Sequence, residues 1–180
     1  RHWYSLAADS QNVDWEGMSK RLPNYDRVWL TRYSDEQVDI VEAGRVESNA
    51  PITFASHVAS FDGKVLLVSS KADVVKNEMR LTLSSHVTNP IQGEVFRHVL
   101  DCEGNVLGLG DGPALGGVYP TWLWRGNDRI TDVRFIPLEK LSACYRIEIG
   151  LYNPGNGQRT IALDTNQKRF ENDVVIIEQR

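Results

Sequence analysis

From Asn49 onward the chain is a succession of short β-prone runs, each closed by a turn signal. This punctuation limits the fold more than any other feature. Ile52 to Ala59 alternates, and Lys64 to Ser69 follows a turn at Asp62-Gly63. Glu78 to Val87 sets Met79, Leu81, Leu83 and Ser85 on one face and Arg80, Thr82, Ser84 and His86 on the other. A period of two is that of a strand with one buried side. Gly93 to Leu100 and Val106 to Leu109 flank Asp101-Cys102-Glu103-Gly104-Asn105, which reads as a hairpin. Ile130 to Ile136, Tyr145 to Leu151, Gln158 to Leu163 and Asp173 to Glu178 complete the set. Asn89-Pro90, Asn153-Pro154-Gly155-Asn156-Gly157 and Asn166-Gln167 supply further turns. Many short strands without a long helical period predict an all-β chain, an antiparallel β-sandwich of immunoglobulin-like or jelly-roll-like type.

The first 48 residues read differently. Trp15 to Leu22 follows Asp14, a plausible N-cap, and stops before Pro23, which predicts one short helix. Tyr25 to Tyr33 is β-rich and closes at Ser34-Asp35-Glu36, and Val38 to Val41 is a second short strand candidate. Elements of this size cannot bury a core alone. The expectation is therefore a helix-strand appendage over 1–48, packed on its neighbour or forming the tail of a preceding domain, and a sandwich domain over 49–180. The chain opens on Arg1 instead of methionine, so it is expected to be cut from a longer protein or processed.

Composition narrows the function classes. Of the 180 residues, 41% are hydrophobic and 24% charged, the balance of a folded domain. Lys and Arg number 20 against 24 Asp and Glu, a net charge of -4, which argues against a nucleic-acid partner, whose phosphates call for a basic face. No apolar run approaches the roughly 20 residues that span a bilayer, and the N-terminus has no signal-peptide pattern. Asn-x-Ser/Thr sequons are absent. Cys102 and Cys144 are too far apart for a CxxC motif. They form one bridge if the compartment is oxidising and their strands are neighbours, and two buried thiols otherwise.

Catalytic motifs are missing: there is no G-x-S-x-G elbow, no phosphate loop and no H-E-x-x-H. Gly108, Gly110, Gly112, Gly116 and Gly117 do not open a helix and read as a turning inter-strand loop, not a phosphate cradle. His57, His86 and His98 lie in strand-like text but lack the i, i+2 spacing that sets two ligands on one strand face, so structural histidines are expected and no metal or other cofactor is assigned. Asp111, Asp128 and Asp132 are either calcium ligands or capping aspartates of solvated loops. The most distinctive segment runs from Asp111 to Arg125 and holds Tyr119, Trp122 and Trp124. Aromatic rings stack on the apolar faces of sugars, which makes Tyr119, Trp122 and Trp124, with Asp111 beside them, the candidate ligand site. If Trp122 and Trp124 share one strand face, the same rings fill a sandwich core.

Several pieces of the chain form an ordered pattern: Val95-Phe96-Arg97-His98-Val99-Leu100-Asp101, Gly104, Asp111-Gly112-Pro113 to Trp124, Asp132, then Tyr145-Arg146-Ile147-Glu148-Ile149-Gly150-Leu151-Tyr152-Asn153-Pro154 with Gly157 and Arg159. In this order they resemble the C-terminal soluble β-sandwich domain of large bacterial multi-pass membrane proteins of the dolichyl-phosphate-mannose-type (family 39-like) glycosyltransferases. That pattern reads approximately F-x-H-L-x-D, D-G-x-P-x-x-G-x-Y-P-T-x-x-W and Y-R-x-x-V-G-L-Y-x-x-x-T-G-x-R. The likeness runs from about Tyr25, whose Tyr25-Asp26-Arg27-Val28-Trp29-Leu30 matches the preceding strand, to Arg159. Two turns depart from it: Gly126-Asn127-Asp128 stands where the family has Pro-Gly-Glu, and Ala143-Cys144 where it has Pro-Gly.

The resemblance implies an extracytoplasmic accessory domain. Catalysis in such proteins sits on carboxylates of the membrane portion, so no catalytic residue transfers to this chain. The implied partners are the membrane portion of the parent chain and a glycan or lipid-linked sugar, and the implied location is the outer face of a bacterial cytoplasmic membrane. The alternative is a stand-alone carbohydrate-binding module that stacks sugar on Tyr119, Trp122 and Trp124.

Overall fold

A computed structural model describes residues 27–33, 38–48, 57–140 and 142–179. The helix expected over Trp15 to Leu22 and most of the strand expected over Ile52 to Ala59 lie outside the described residues. The strands are β1 (Val28–Tyr33), β2 (Val38–Glu47), β3 (Ala59–Phe61), β4 (Val65–Val75), β5 (Glu78–Val87), β6 (Glu94–Asp101), β7 (Val106–Leu109), β8 (Arg129–Pro137), β9 (Tyr145–Tyr152), β10 (Ala162–Leu163) and β11 (Val175–Gln179). Two sheets result: seven strands in the order β1-β2-β8-β5-β4-β3-β10, and four in the order β11-β9-β6-β7. Every ladder is antiparallel. The described residues are all-β, and strand makes up 54% of them. No helix of the described residues is long and apolar enough to cross a membrane.

Alternation explains which sheet face is buried. In β5, Met79, Leu81 and Leu83 are buried between half-exposed or exposed neighbours, and they meet Val99 of β6 and Ile147 and Ile149 of β9 in one core. Burying this apolar surface from both sheets is the main force that holds them together. Beyond Leu83 the alternation breaks, and His86 and Val87 are buried together at the end of the strand.

β1 and β2 do not stand apart from the sandwich. β2 pairs with β8 from Gly44↔Asp132 to Glu47↔Arg129, which places both strands at one side of the larger sheet. Gly44 makes that pairing possible: its φ is +128°, and a Cβ there would lie 1.9 Å from the carbonyl oxygen of Thr131.

Cys102 and Cys144 form a disulfide with their Cα atoms 5.6 Å apart. The register places them there. β6 and β9 pair from Glu94↔Tyr152 to Asp101↔Tyr145, and the next step of the same ladder is Cys102 opposite Cys144. The bridging alternative is the one realised, because the two strands are neighbours.

Candidate functional site

The segment between β7 and β8, residues 110–128, is held by two buried polar anchors. The first is Arg97. Its neighbours at i±2 on β6, Val95 and Val99, belong to the core, so the arginine side chain also enters the space between the sheets. Nη2 donates to Asp132 Oδ2 of β8 at 2.5 Å, and Nη1 lies 3.1–3.2 Å from the carbonyl oxygens of Val95, Gly110 and Gly112. Burial lowers the Arg97 pKa from its ordinary value, and Asp132 opposes that shift. Asp132 Oδ1 accepts from the Leu115 amide at 2.6 Å. That bond fixes the helical turn α1 (Ala114–Gly117), inside which Leu115 and Gly116 adopt left-handed backbone angles. Arg134 Nη2 donates to the Pro113 carbonyl as well.

The second anchor is Asp128. Tyr119 donates its hydroxyl to Asp128 Oδ2 at 2.9 Å, and Ser48 donates to Oδ1 at 2.9 Å. Burial and the neighbouring Asp128 both raise the Tyr119 pKa, so the phenol stays protonated. Trp124 Nε1 donates to the Tyr119 carbonyl at 3.1 Å, and Thr121 Oγ1 donates to the Gly93 carbonyl. These bonds fold Thr121–Leu123 into a 3₁₀ turn between Pro120 and Trp124.

This local fold separates the candidate aromatic residues. Tyr119 and Trp124 are 0% and 4% exposed and belong to the core. They present no ring face to a ligand, which corrects the expectation of a three-ring platform. Trp122 lies at the crest of the 3₁₀ turn and is 55% exposed. Trp122 and Trp124 do not share a strand face, because the segment is not a strand. Asp111 lies aside from the crest: Oδ1 accepts from the Arg97 amide at 2.8 Å, and Oδ2 is 3.1 Å from His98 Nε2.

Trp122 forms a wall of two open clefts. One, of about 360 Å³, is lined by Gln92, Gly93, Glu94, Pro113, Pro120, Thr121, Asn153 and Pro154 along with the indole. The other, of about 460 Å³, is lined by Asp62, Lys64, Pro90, Ile91, Gln92 and Thr160 along with the same indole. Both volumes fall in the range of small-molecule sites. Several polar groups at the rims are already oriented. Tyr152 donates to Glu94 Oε2 at 3.1 Å, the Gly155 amide donates to Asn153 Oδ1 at 2.8 Å, and Lys64 Nζ pairs with Asp62 at 2.6 Å. The tyrosine pKa is raised, first by desolvation and then by Glu94. Gln92, Glu94 and Lys64 carry no motif, whereas Asn153 is marked in the sequence by its turn and by the end of the Tyr145 to Pro154 pattern.

The remaining candidates have structural surroundings. Asp128 and Asp132 are buried hydrogen-bond acceptors, and His86 is buried beside Arg129. No group of three or more His, Cys, Asp or Glu able to hold a metal ion occurs among the described residues. Gly110 serves close packing: a Cβ there would approach Ile136 Cδ1 to 2.7 Å.

No protein-family model matches the sequence, and no curated protein matches it at a significant level.

Proposed function

We propose that this chain is a non-catalytic, glycan-contacting β-sandwich domain that works outside the cytoplasm as the accessory domain of a membrane glycosyltransferase-like protein. The observation that carries the glycan contact is Trp122. A large ring, half exposed, sits on a turn flanked by the buried, hydrogen-bonded Thr121 and Trp124, so its presentation is rigid. Folding gains little from an indole held in water, whereas the C–H face of a sugar ring gains by covering it. A fixed aromatic platform flanked by amide, hydroxyl and charged groups suits a ligand with one apolar face and a polar rim.

The Cys102–Cys144 bridge supports an oxidising, extracytoplasmic setting, because exposed disulfides are rare in reducing compartments. The sequence resemblance supports the membrane-bound parent and makes its membrane portion the first partner. The same Trp122 surface also suits a stand-alone carbohydrate-binding module. Reading the frame upstream of Arg1 distinguishes the two: successive apolar segments of about 20 residues each favour the transferase-associated domain, and a signal peptide directly upstream favours the free module.

The glycan contact is tested by following tryptophan emission of the 180-residue chain during titration with neutral oligosaccharides. A saturable shift that disappears in Trp122→Ala, with the variant still folded, is the expected result. No shift with any sugar, or a shift unchanged in Trp122→Ala, overturns it.

A further inference from the structure

We propose that the site takes the interior of an extended oligosaccharide, with consecutive sugar units in the two clefts and Trp122 at their junction. This rests on the glycan reading above and goes further by assigning the class of ligand. Three observations carry it. The two clefts share two lining residues, Trp122 and Gln92, so they adjoin at the indole. Both clefts are open to solvent. Their polar groups also differ. One cleft has Glu94, held by the Tyr152 hydroxyl, and Asn153, held by the Gly155 amide; the other has the Lys64–Asp62 pair.

A terminal monosaccharide would use one cleft and leave half of this surface in water. An oligomer that crosses the indole stacks one unit on the ring while the shared Gln92 and the separate rims hydrogen-bond its neighbours. Each further unit is bound without a second loss of translational freedom, so affinity should climb with length until both clefts are filled.

The test is a titration of the 180-residue chain with mannose, glucose and N-acetylglucosamine series of one to four units, read by Trp emission and calorimetry. In the series that binds, the tetrasaccharide should bind at least about tenfold tighter than its monosaccharide. Lys64→Ala and Asn153→Asp should each remove most of that gain. Asn153→Asp keeps the acceptor that holds Gly155, loses the amide donor and adds one negative charge beside Glu94. Trp122→Phe, which keeps a stacking ring, should retain more affinity than Trp122→Ala. If the monosaccharide binds as tightly as the tetrasaccharide, or if either rim variant is silent toward the tetrasaccharide, the two-cleft assignment is overturned while the Trp122 contact stands. If no sugar in any series binds, both fall.

Discussion

Arg97 and Asp132 face each other between the two sheets at 2.5 Å, one from β6 and the other from β8, and together they hold the loop that carries Trp122. The pair lies where a sandwich ordinarily has only apolar side chains. Its return is positional: one guanidinium and one carboxylate fix Gly110, Gly112 and Leu115 relative to both sheets.

Breaking that pair from one side leaves an uncompensated buried charge. Arg97→Met should therefore cost about 3–5 kcal/mol in urea unfolding. Arg97→Met combined with Asp132→Leu should cost less than the two single substitutions added together. Additive losses in the double variant would show that the residues act separately.

Trp122 and Trp124 should part company when each is cut to alanine. Trp124 is core, so Trp124→Ala should lose about 3–5 kcal/mol. Trp122→Ala, on the surface, should stay within about 0.5 kcal/mol of the parent. Equal losses would mean that the exposed indole serves the fold.

Acid should weaken the fold partly through His86. Burial, then Arg129, lowers its pKa, and its Nε2 has no hydrogen-bond partner among the described residues. A histidine harder to protonate when folded contributes stability above its ordinary pKa of about 6.5, and that contribution is lost as pH falls from there through its lowered folded value. The melting temperature should decline from pH 7 to pH 5, and His86→Gln should flatten the decline. An unchanged slope would remove His86 from the account.

Reduction of Cys102–Cys144 should lower the melting temperature. The bridge spans 42 positions, and closing a loop of that length in the unfolded chain corresponds to about 4 kcal/mol in the chain-entropy model. The check is thermal unfolding with and without reductant, compared with Cys102→Ala/Cys144→Ala. The variant and the reduced parent should melt together, both well below the oxidised parent.

Where side chains alternated, the sequence could be read almost to the residue. Glu78 to Val87 is a strand with the expected ends, because one-face burial over Met79 to Leu83 fixes its period and register. Val106 to Leu109 is a strand because it closes the hairpin after Asp101 to Asn105. β4 runs on to Val75, beyond the expected Ser69, because its outer half is held by backbone pairing with β5, and pairing writes no hydrophobic pattern. Gln158 to Leu163 yields only Ala162–Leu163 as strand, with Arg159 bridging singly to Tyr152. Strand parity between Trp122 and Trp124 was the wrong period for a 3₁₀ turn that starts after Pro120 and is tied down by the Thr121 hydroxyl. Arg97 carries a sequence signal of its burial: it stands between Val95 and Val99 at the parity of the core. The cleft rims left almost none, since Lys64, Gln92 and Glu94 meet only after the chain has folded.

The disulfide also determines what a protease can do to this molecule. Positions 103–143 lie inside the covalent ring closed by Cys102 and Cys144, and that ring contains β7, the Trp122 turn and the whole of β8, which is interior to the larger sheet. A single cut at the exposed Trp122 crest would therefore release no fragment. The two new ends would remain tethered through sulfur, with β8 still seated between β2 and β5, and the nick would show on a gel only after the thiols were freed.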